Sequence, residues 1–291
     1  MPWLEIQFRE DSHKAQQLAD ALSEVGAVAV TLTDAIEQPI FEPPLGDIPL
    51  WALTYINALF PIGTDLNLVL THLKQIISFP LPVYQSKILE DQNWDQVWRE
   101  NFKPLRFGQQ LWVCPSWLPI PEPEAINIIL DPGLAFGTGS HPTTALCLEW
   151  LASTDINQKN IIDYGCGSGI LAIAALKLGV TTAIGIDHDP QALLAAQENA
   201  TRNGADTHLQ VLLPSESITI KTDFLIANIL LAPLVELAPK FAQLIVPKGT
   251  LILSGILQSQ IKSIVQTYNT WFSFDPPSLK EDWALLVGHR L

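Results

Sequence analysis

Apolar residues keep two different rhythms along this chain. In the first, "WLEIQF" (residues 3–8) alternates apolar with polar positions and predicts a strand with one buried face. "SHKAQQLADALSEVG" sets Ala15, Leu18, Leu22 and Val25 at helical spacing, with Ser12 as candidate N-cap and Gly26 as stop. "AVAVTLTD" predicts a strand, and Pro39, Pro43, Pro44 and Pro49 a loop. "LWALTYINALF" predicts another strand, "TDLNLVLTHLKQIIS" a capped amphipathic helix and "PVYQSKILE" a further strand. The order is βαββαβ, the split βαβ arrangement of a small ferredoxin-like domain.

"DQNWDQVWRENF" (91–102) then places Trp94, Val97 and Trp98 on one helical face and predicts a connecting helix. "LRFGQQLWVCPSW" reads as paired strands and "LPIPEPEA" as a Pro-rich turn. Beyond about residue 125 the alternation stops. "AINIILD", "NIIDYG", "TAIGID", "LQVLL", "DFLIANI" and "TLILSGI" are short apolar runs, and helical stretches separate most of them. Such strands belong to a parallel sheet covered on both faces, so the fold class is α/β, doubly wound and mostly parallel. "WFSFD" and "WALLVGHRL" have no helix between them and predict an antiparallel hairpin at one edge. The expected organisation is a small N-terminal α+β domain over 1–88, a linker helix over 89–103 and a second domain over 104–291.

Hydrophobic residues form 48% of the chain and charged residues 16%, which argues against disorder and allows a large core. No apolar run reaches the ~18 residues of a membrane span, and "MPWLEIQFRE" lacks a signal-peptide pattern, so a cytoplasmic protein is expected. Cys114, Cys147 and Cys166 are odd in number and lack CxxC spacing, which fits free thiols rather than disulfides or zinc. No metal is expected: His141 has no second ligand at useful spacing, and a loop hydrogen bond is the plainer reading. The net charge of −14 disfavours direct nucleic-acid readout and favours a basic partner. The oligomeric state is not legible.

"IIDYGCGSGILAIAAL" (161–176) carries the chemistry. A strand ends at Asp163, then Gly165, Gly167 and Gly169 form a turn into a helix. The first βα turn of a doubly wound sheet is where ligands bind. Alone, this is also a tight turn without a ligand. Asp187 ends the next strand, where an acid accepts hydrogen bonds from both ribose hydroxyls, although alone it reads equally as a helix N-cap. The third glycine comes one residue too early for the dinucleotide fingerprint G-x-G-x-x-G, and no G-K-[ST] follows for a P-loop. An anionic Asp163 disfavours a pyrophosphate and suits an ammonium. S-adenosylmethionine combines ribose hydroxyls, an ammonium and no phosphate, so it fits better than a dinucleotide. "DPGLAFGTGSHPTT" (131–144) is a Gly- and Thr-rich loop leading into a helix, with Thr143 or Thr144 near its start. Asn228 closes the fourth strand in "DFLIANILLAP", where N-I-L-L replaces the [DN]-P-P-[YF] of many nucleic-acid amino-methyltransferases. Without that aromatic ring a flipped base has nothing to stack on.

D-x-G-x-G-x-G followed by an acid at the next strand end resembles the class I S-adenosylmethionine-dependent methyltransferases. With "DPGLAFGTGSHPTT" and "ANILLAPL", the whole chain resembles the ribosomal protein L11 methyltransferases. The resemblance implies a seven-stranded methyltransferase sheet and S-adenosylmethionine as cofactor. It implies cofactor contacts at Thr144, Gly165, Asp187 and Asn228, to which the turn reading adds Asp163 and Gly167. Asn228 is also the candidate catalytic residue, its carbonyl positioning the acceptor amine. The resemblance further implies trimethylation of lysine side chains and of an N-terminal amine on a basic ribosomal protein, held by the small domain. Two other classes compete: an RNA or small-molecule methyltransferase with the same cofactor domain, and a non-catalytic ribosome-assembly module.

Overall fold

The computed structural model describes residues 2–37, 40, 49–90, 102–131, 139–215 and 220–291. The expected linker helix with Trp94, Val97 and Trp98, most of the Pro-rich loop, and residues 132–138 of the Gly- and Thr-rich stretch lie outside them. The chain divides into two compact units, Met1–Arg99 and Glu100–Leu291.

The first unit runs β1 (Trp3–Asp11), α1 (Ser12–Glu24), β2 (Ala29–Asp34), β3 (Leu53–Pro61), α2 (Leu66–Ile76) and β4 (Tyr84–Leu89). Its antiparallel sheet has the order β2-β3-β1-β4, the ferredoxin-like arrangement. Alternation in β1 and β3 sends Ile6, Phe8, Ile56, Ala58 and Phe60 to one face, where they bury against Leu18, Leu22 and Leu73 of the helices. Asp11, not Ser12, caps α1: its carboxylate accepts from the N–H groups of His13 and Lys14 at 3.0 and 3.2 Å. The strand runs directly into the helix, so the last residue with extended backbone supplies the cap.

The second unit holds β5 (Leu105–Phe107), β6 (Leu111–Cys114), β7 (Ile126–Ile129), α3 (Pro142–Ser153), β8 (Asn160–Tyr164), α4 (Ile170–Lys177), β9 (Thr182–Ile186), α5 (Pro190–Arg202) and β10 (Leu209–Leu212). It continues with β11 (Thr222–Asn228), α6 (Leu231–Leu244), β12 (Ile245–Leu257), α7 (Ile261–Tyr268), β13 (Phe272–Phe274), β14 (Ser278–Lys280) and β15 (Trp283–Arg290). Its main sheet has the order β10-β9-β8-β11-β12-β15-β13, parallel from β10 to β12 and antiparallel around β15. The expected edge hairpin is therefore present. An eighth short strand, β14, also pairs with β15, and Pro276 and Pro277 separate it from β13. Prolines have no N–H to give the ladder, which explains the break.

Both sheet faces are covered. In β11, Phe224 and Ile226 enter one core with residues of α3, α4 and α5, while Leu225 and Ala227 enter the other with α6 and α7. That is why the strand does not alternate. One strand departs from expectation. "AINIILD" becomes β7, which pairs with β6 in a separate three-stranded sheet of order β5-β6-β7 and not in the main sheet. Asn203, just after α5, explains how β7 manages without a main-sheet neighbour. Its side chain accepts from Ile129 N–H at 2.8 Å and donates to Ile129 C=O at 2.9 Å, doing for that edge what another strand would do.

Candidate active site

The order of the main sheet reverses at β8, from which the chain winds first to β9 and β10 and later to β11 and β12. A doubly wound sheet opens its crevice at such a point, outside the carboxyl ends of the strands. Both sequence-predicted segments end there: the glycine turn follows β8, and Asn228 is the last residue of β11.

Gly165, Gly167 and Gly169 all have positive φ, at 81°, 51° and 77°. At Gly165 the requirement is steric as well, because a Cβ there would occupy the space of Ile229 Cγ2. The N–H groups of the turn point inward. Gly165 and Cys166 donate to Ile186 C=O at 2.7 and 3.0 Å, Gly169 donates to Cys166 C=O at 2.8 Å, and Gly167 donates to Asp187 Oδ2 at 2.9 Å. A phosphate held at a helix N-terminus needs outward-facing N–H groups. Here four are committed internally, which is a second reason against a pyrophosphate.

Asp187 is buried and reaches across to the turn. Its other oxygen accepts from Asp189 N–H at 3.0 Å. It is not the cap of α5, because Asp189 fills that position by accepting from Gln191 N–H at 2.9 Å. Asp163 is placed differently from the sequence picture of an acid facing a ligand. It is 0% exposed, behind the turn, with Oδ2 accepting from Ala172 N–H of α4 at 3.1 Å. Burial pushes its carboxyl up to about 7; the Ala172 bond opposes this and the Asp187 charge adds to it. Its Oδ1 is buried without a hydrogen-bond partner among the described residues.

On the other side of the crevice, Asn228 Nδ2 donates to Thr144 Oγ1 at 3.2 Å. Asn228 Oδ1 is also buried without a partner. Thr144 lies in the first turn of α3, whose N-cap is His141: Nδ1 accepts from Thr143 N–H at 3.3 Å and lies 2.7 Å from Thr143 Oγ1. Burial holds the His141 imidazole below its usual range, with Glu281 pulling the other way. The ring packs edge-on against Trp283 at 5.0 Å. No group of three or more His, Cys, Asp or Glu side chains among the described residues could hold a metal ion.

Sequence reading passed over Ser254. It pairs with Asn228 across the β11–β12 ladder, and its buried hydroxyl lies 3.3 Å from Thr143 C=O and 3.1 Å from Ala284 C=O, tying α3 to the sheet. The signal was a Ser-Gly pair inside the apolar run "TLILSGI", which marks a bulge; the β12–β15 register shifts between Leu253 and Ile256.

S-adenosylmethionine fits this set. Asp187 presents a carboxylate at the strand end where a ribose diol would lie, the turn offers no phosphate cradle, and the orphaned Asn228 Oδ1 is an acceptor suited to N–H groups.

The family model described as "Ribosomal protein L11 methyltransferase (PrmA)" matches residues 2–291. A protein of Nitrosococcus oceani named ribosomal protein L11 methyltransferase is 62% identical over 291 residues, covering 100% of both chains. One of Shewanella woodyi with the same name is 50% identical over 293 residues, again covering 100% of both. The crystal structure of a ribosomal protein L11 methylase from Lactobacillus delbrueckii subsp. bulgaricus superposes with a TM-score of 0.59 at 32% identity, covering 65% of this chain and 99% of that one. The chain therefore belongs to the ribosomal protein L11 methyltransferase family and is a methyltransferase that takes S-adenosylmethionine as its methyl donor.

Proposed function

We propose that this enzyme methylates amines of ribosomal protein L11, both lysine side chains and the N-terminal α-amine, and that it does so in the cytoplasm. The observation that carries this reading is the Asn228 amide: its nitrogen is engaged by Thr144 and its buried oxygen is left to accept. In the same reading Thr144, Gly165, Gly167 and Asp187 hold the cofactor, Asp163 supports the turn from behind, and residues 1–88 recognise the substrate. The −14 net charge supports a basic ribosomal protein as partner.

S-adenosylmethionine, when bound, supplies a methyl group on a sulfonium for in-line displacement. The chain's residues then have to present a neutral amine. A lysine with an ordinary pKa of about 10.4 is an ammonium without a lone pair to give. Removal from water beside positive charge favours the neutral form. The Asn228 oxygen accepts one N–H of that amine and so turns its lone pair. An amide does not take the proton away, so Asn228 orients and the excess proton leaves to solvent before transfer. Positioning of this kind supplies much of the rate.

The test is to incubate the chain with methyl-labelled cofactor and purified L11, then map the label by peptide mass spectrometry. Label on lysine side chains and the N-terminal amine is expected. Label confined to carboxylates or other side chains would overturn the reading.

A further inference from the structure

Ile229 follows Asn228 and stands between two glycines that are far apart in sequence. Its Cγ2 fills the space that a side chain at Gly165 would need. Its backbone fills the corresponding space at Gly255, where an added Cβ would come within 2.8 Å of Ile229 C and 2.9 Å of Ile229 N. Gly255 has φ of 81° and sits in the β12 irregularity next to Ser254. The rest of the Ile229 side chain packs on the core beneath α6 and α7. A β-branched residue has few χ1 choices, so a side chain seated in this way is stiff.

We propose that Ile229 is a positioning residue: its branched methyl seats in the glycine turn, its main chain seats on Gly255, and together these contacts aim the Asn228 amide. The glycine turn and the acceptor amide are then parts of one rigid assembly, and a change at one displaces the other. The two missing Cβ atoms are the observation behind this. A turn built only for tightness needs neither glycine to face the same neighbour. The proposal rests on the reading of Asn228 as the residue that orients the amine.

Two near-isosteric variants separate the contact from bulk. Ile229→Val keeps the branched methyl that meets Gly165 and loses only the distal carbon. Ile229→Leu keeps the volume and loses the branched methyl. The full-length variants are assayed with L11 for kcat and KM, by calorimetry for cofactor Kd, and by thermal melting. Because small misplacements of a reacting group are costly, Ile229→Leu is expected to lower kcat about tenfold while cofactor Kd changes by less than about threefold and melting is nearly unchanged; Ile229→Val is expected to stay within about twofold of the parent in kcat. If Ile229→Leu does not fold, Ile229→Ala takes its place with the same expected drop in kcat. Equal kcat for the Leu and Val variants would overturn the proposal, as would a loss in the Leu variant seen only in melting temperature. Asn228→Ala runs alongside. Full turnover in that variant removes the underlying reading. Impaired turnover there with normal kcat in Ile229→Leu removes only the role of Ile229.

Discussion

The Asn228 amide donates to the Thr144 hydroxyl at 3.2 Å, joining the end of β11 to the first turn of α3 across 84 positions of sequence. The bond fixes which end of the amide faces the crevice. Asn228→Ala removes the acceptor and, among the described residues, the side-chain hydrogen bond to Thr144, so turnover of L11 is expected to fall by about tenfold to a hundredfold with a small loss of melting temperature. Steady-state kinetics and a thermal melt on one preparation check this. Normal turnover refutes the role, and a chain that fails to fold assigns Asn228 to structure.

Asp187 has Oδ2 on Gly167 N–H and Oδ1 on Asp189 N–H with His188 Nδ1 at 3.4 Å, which leaves a second lone pair on Oδ2 for a ligand. Losing a charged hydrogen bond to the cofactor costs about 1.5–3 kcal/mol, or about ten- to a hundredfold in Kd. Calorimetry on Asp187→Ala should find that loss. Asp187→Asn keeps acceptor oxygen and should lose less. Unchanged affinity in both variants would remove the ribose assignment.

Asp163 makes stability depend on pH. Burial raises its carboxyl from 3.8 to about 7, so between those values the native chain holds a proton that the unfolded chain has released. The stabilisation is fully present below the unfolded value and is lost as pH rises through the native one. Asp163→Asn cannot titrate, and its amide can still accept from Ala172. Relative to the parent, the variant should therefore gain stability on going from pH 5 to pH 8. Melting curves of both chains at the two pH values test this, and a constant difference between them would sink it.

The first unit has its own core, built on Ile6, Phe8 and Ile56, while Thr144, Gly165, Gly167, Asp187 and Asn228 all belong to the second. A truncated chain beginning near residue 88 is expected to keep cofactor affinity and lose methylation of L11. On the proposal that L11 is a basic partner, its association with the full chain should slow as salt rises, because an acidic enzyme steers a partner of opposite charge. Full methylation by the truncated chain would rule out the first unit as the recognition element.

The main sheet was legible because strands buried on both faces carry apolar residues at every position, as Phe224 to Ala227 do. The placement of β7 was not. Its local pattern is that of a main-sheet strand, and the residue that closes its edge, Asn203, lies 74 positions away. Asp163, Gly165, Gly167 and Asp187 could be named from spacing, but spacing cannot tell which of the two acids is fully enclosed. Only the geometry places Asp163 behind the turn, with Ala172 as its partner. Ile229 was hidden for the same reason, since an isoleucine in an apolar run has no local mark of its neighbours.

The insertion of β11 between β8 and β12 also sets the order in which the chain can be built. β8 is bordered by a strand that follows it far along the sequence; Asn160 N–H already bonds to Asp223 Oδ2, 63 positions away. During synthesis the first unit has all its strands once Leu89 has emerged, and it can fold while the rest is still being made. The crevice cannot close until β11 and β12 are both available, because Gly165, Ile229 and Gly255 complete one another. Non-local parallel pairing of this kind is slow, since distant segments must meet before any contact rewards them. A nascent chain would thus present its folded N-terminal unit well before it could carry out any chemistry.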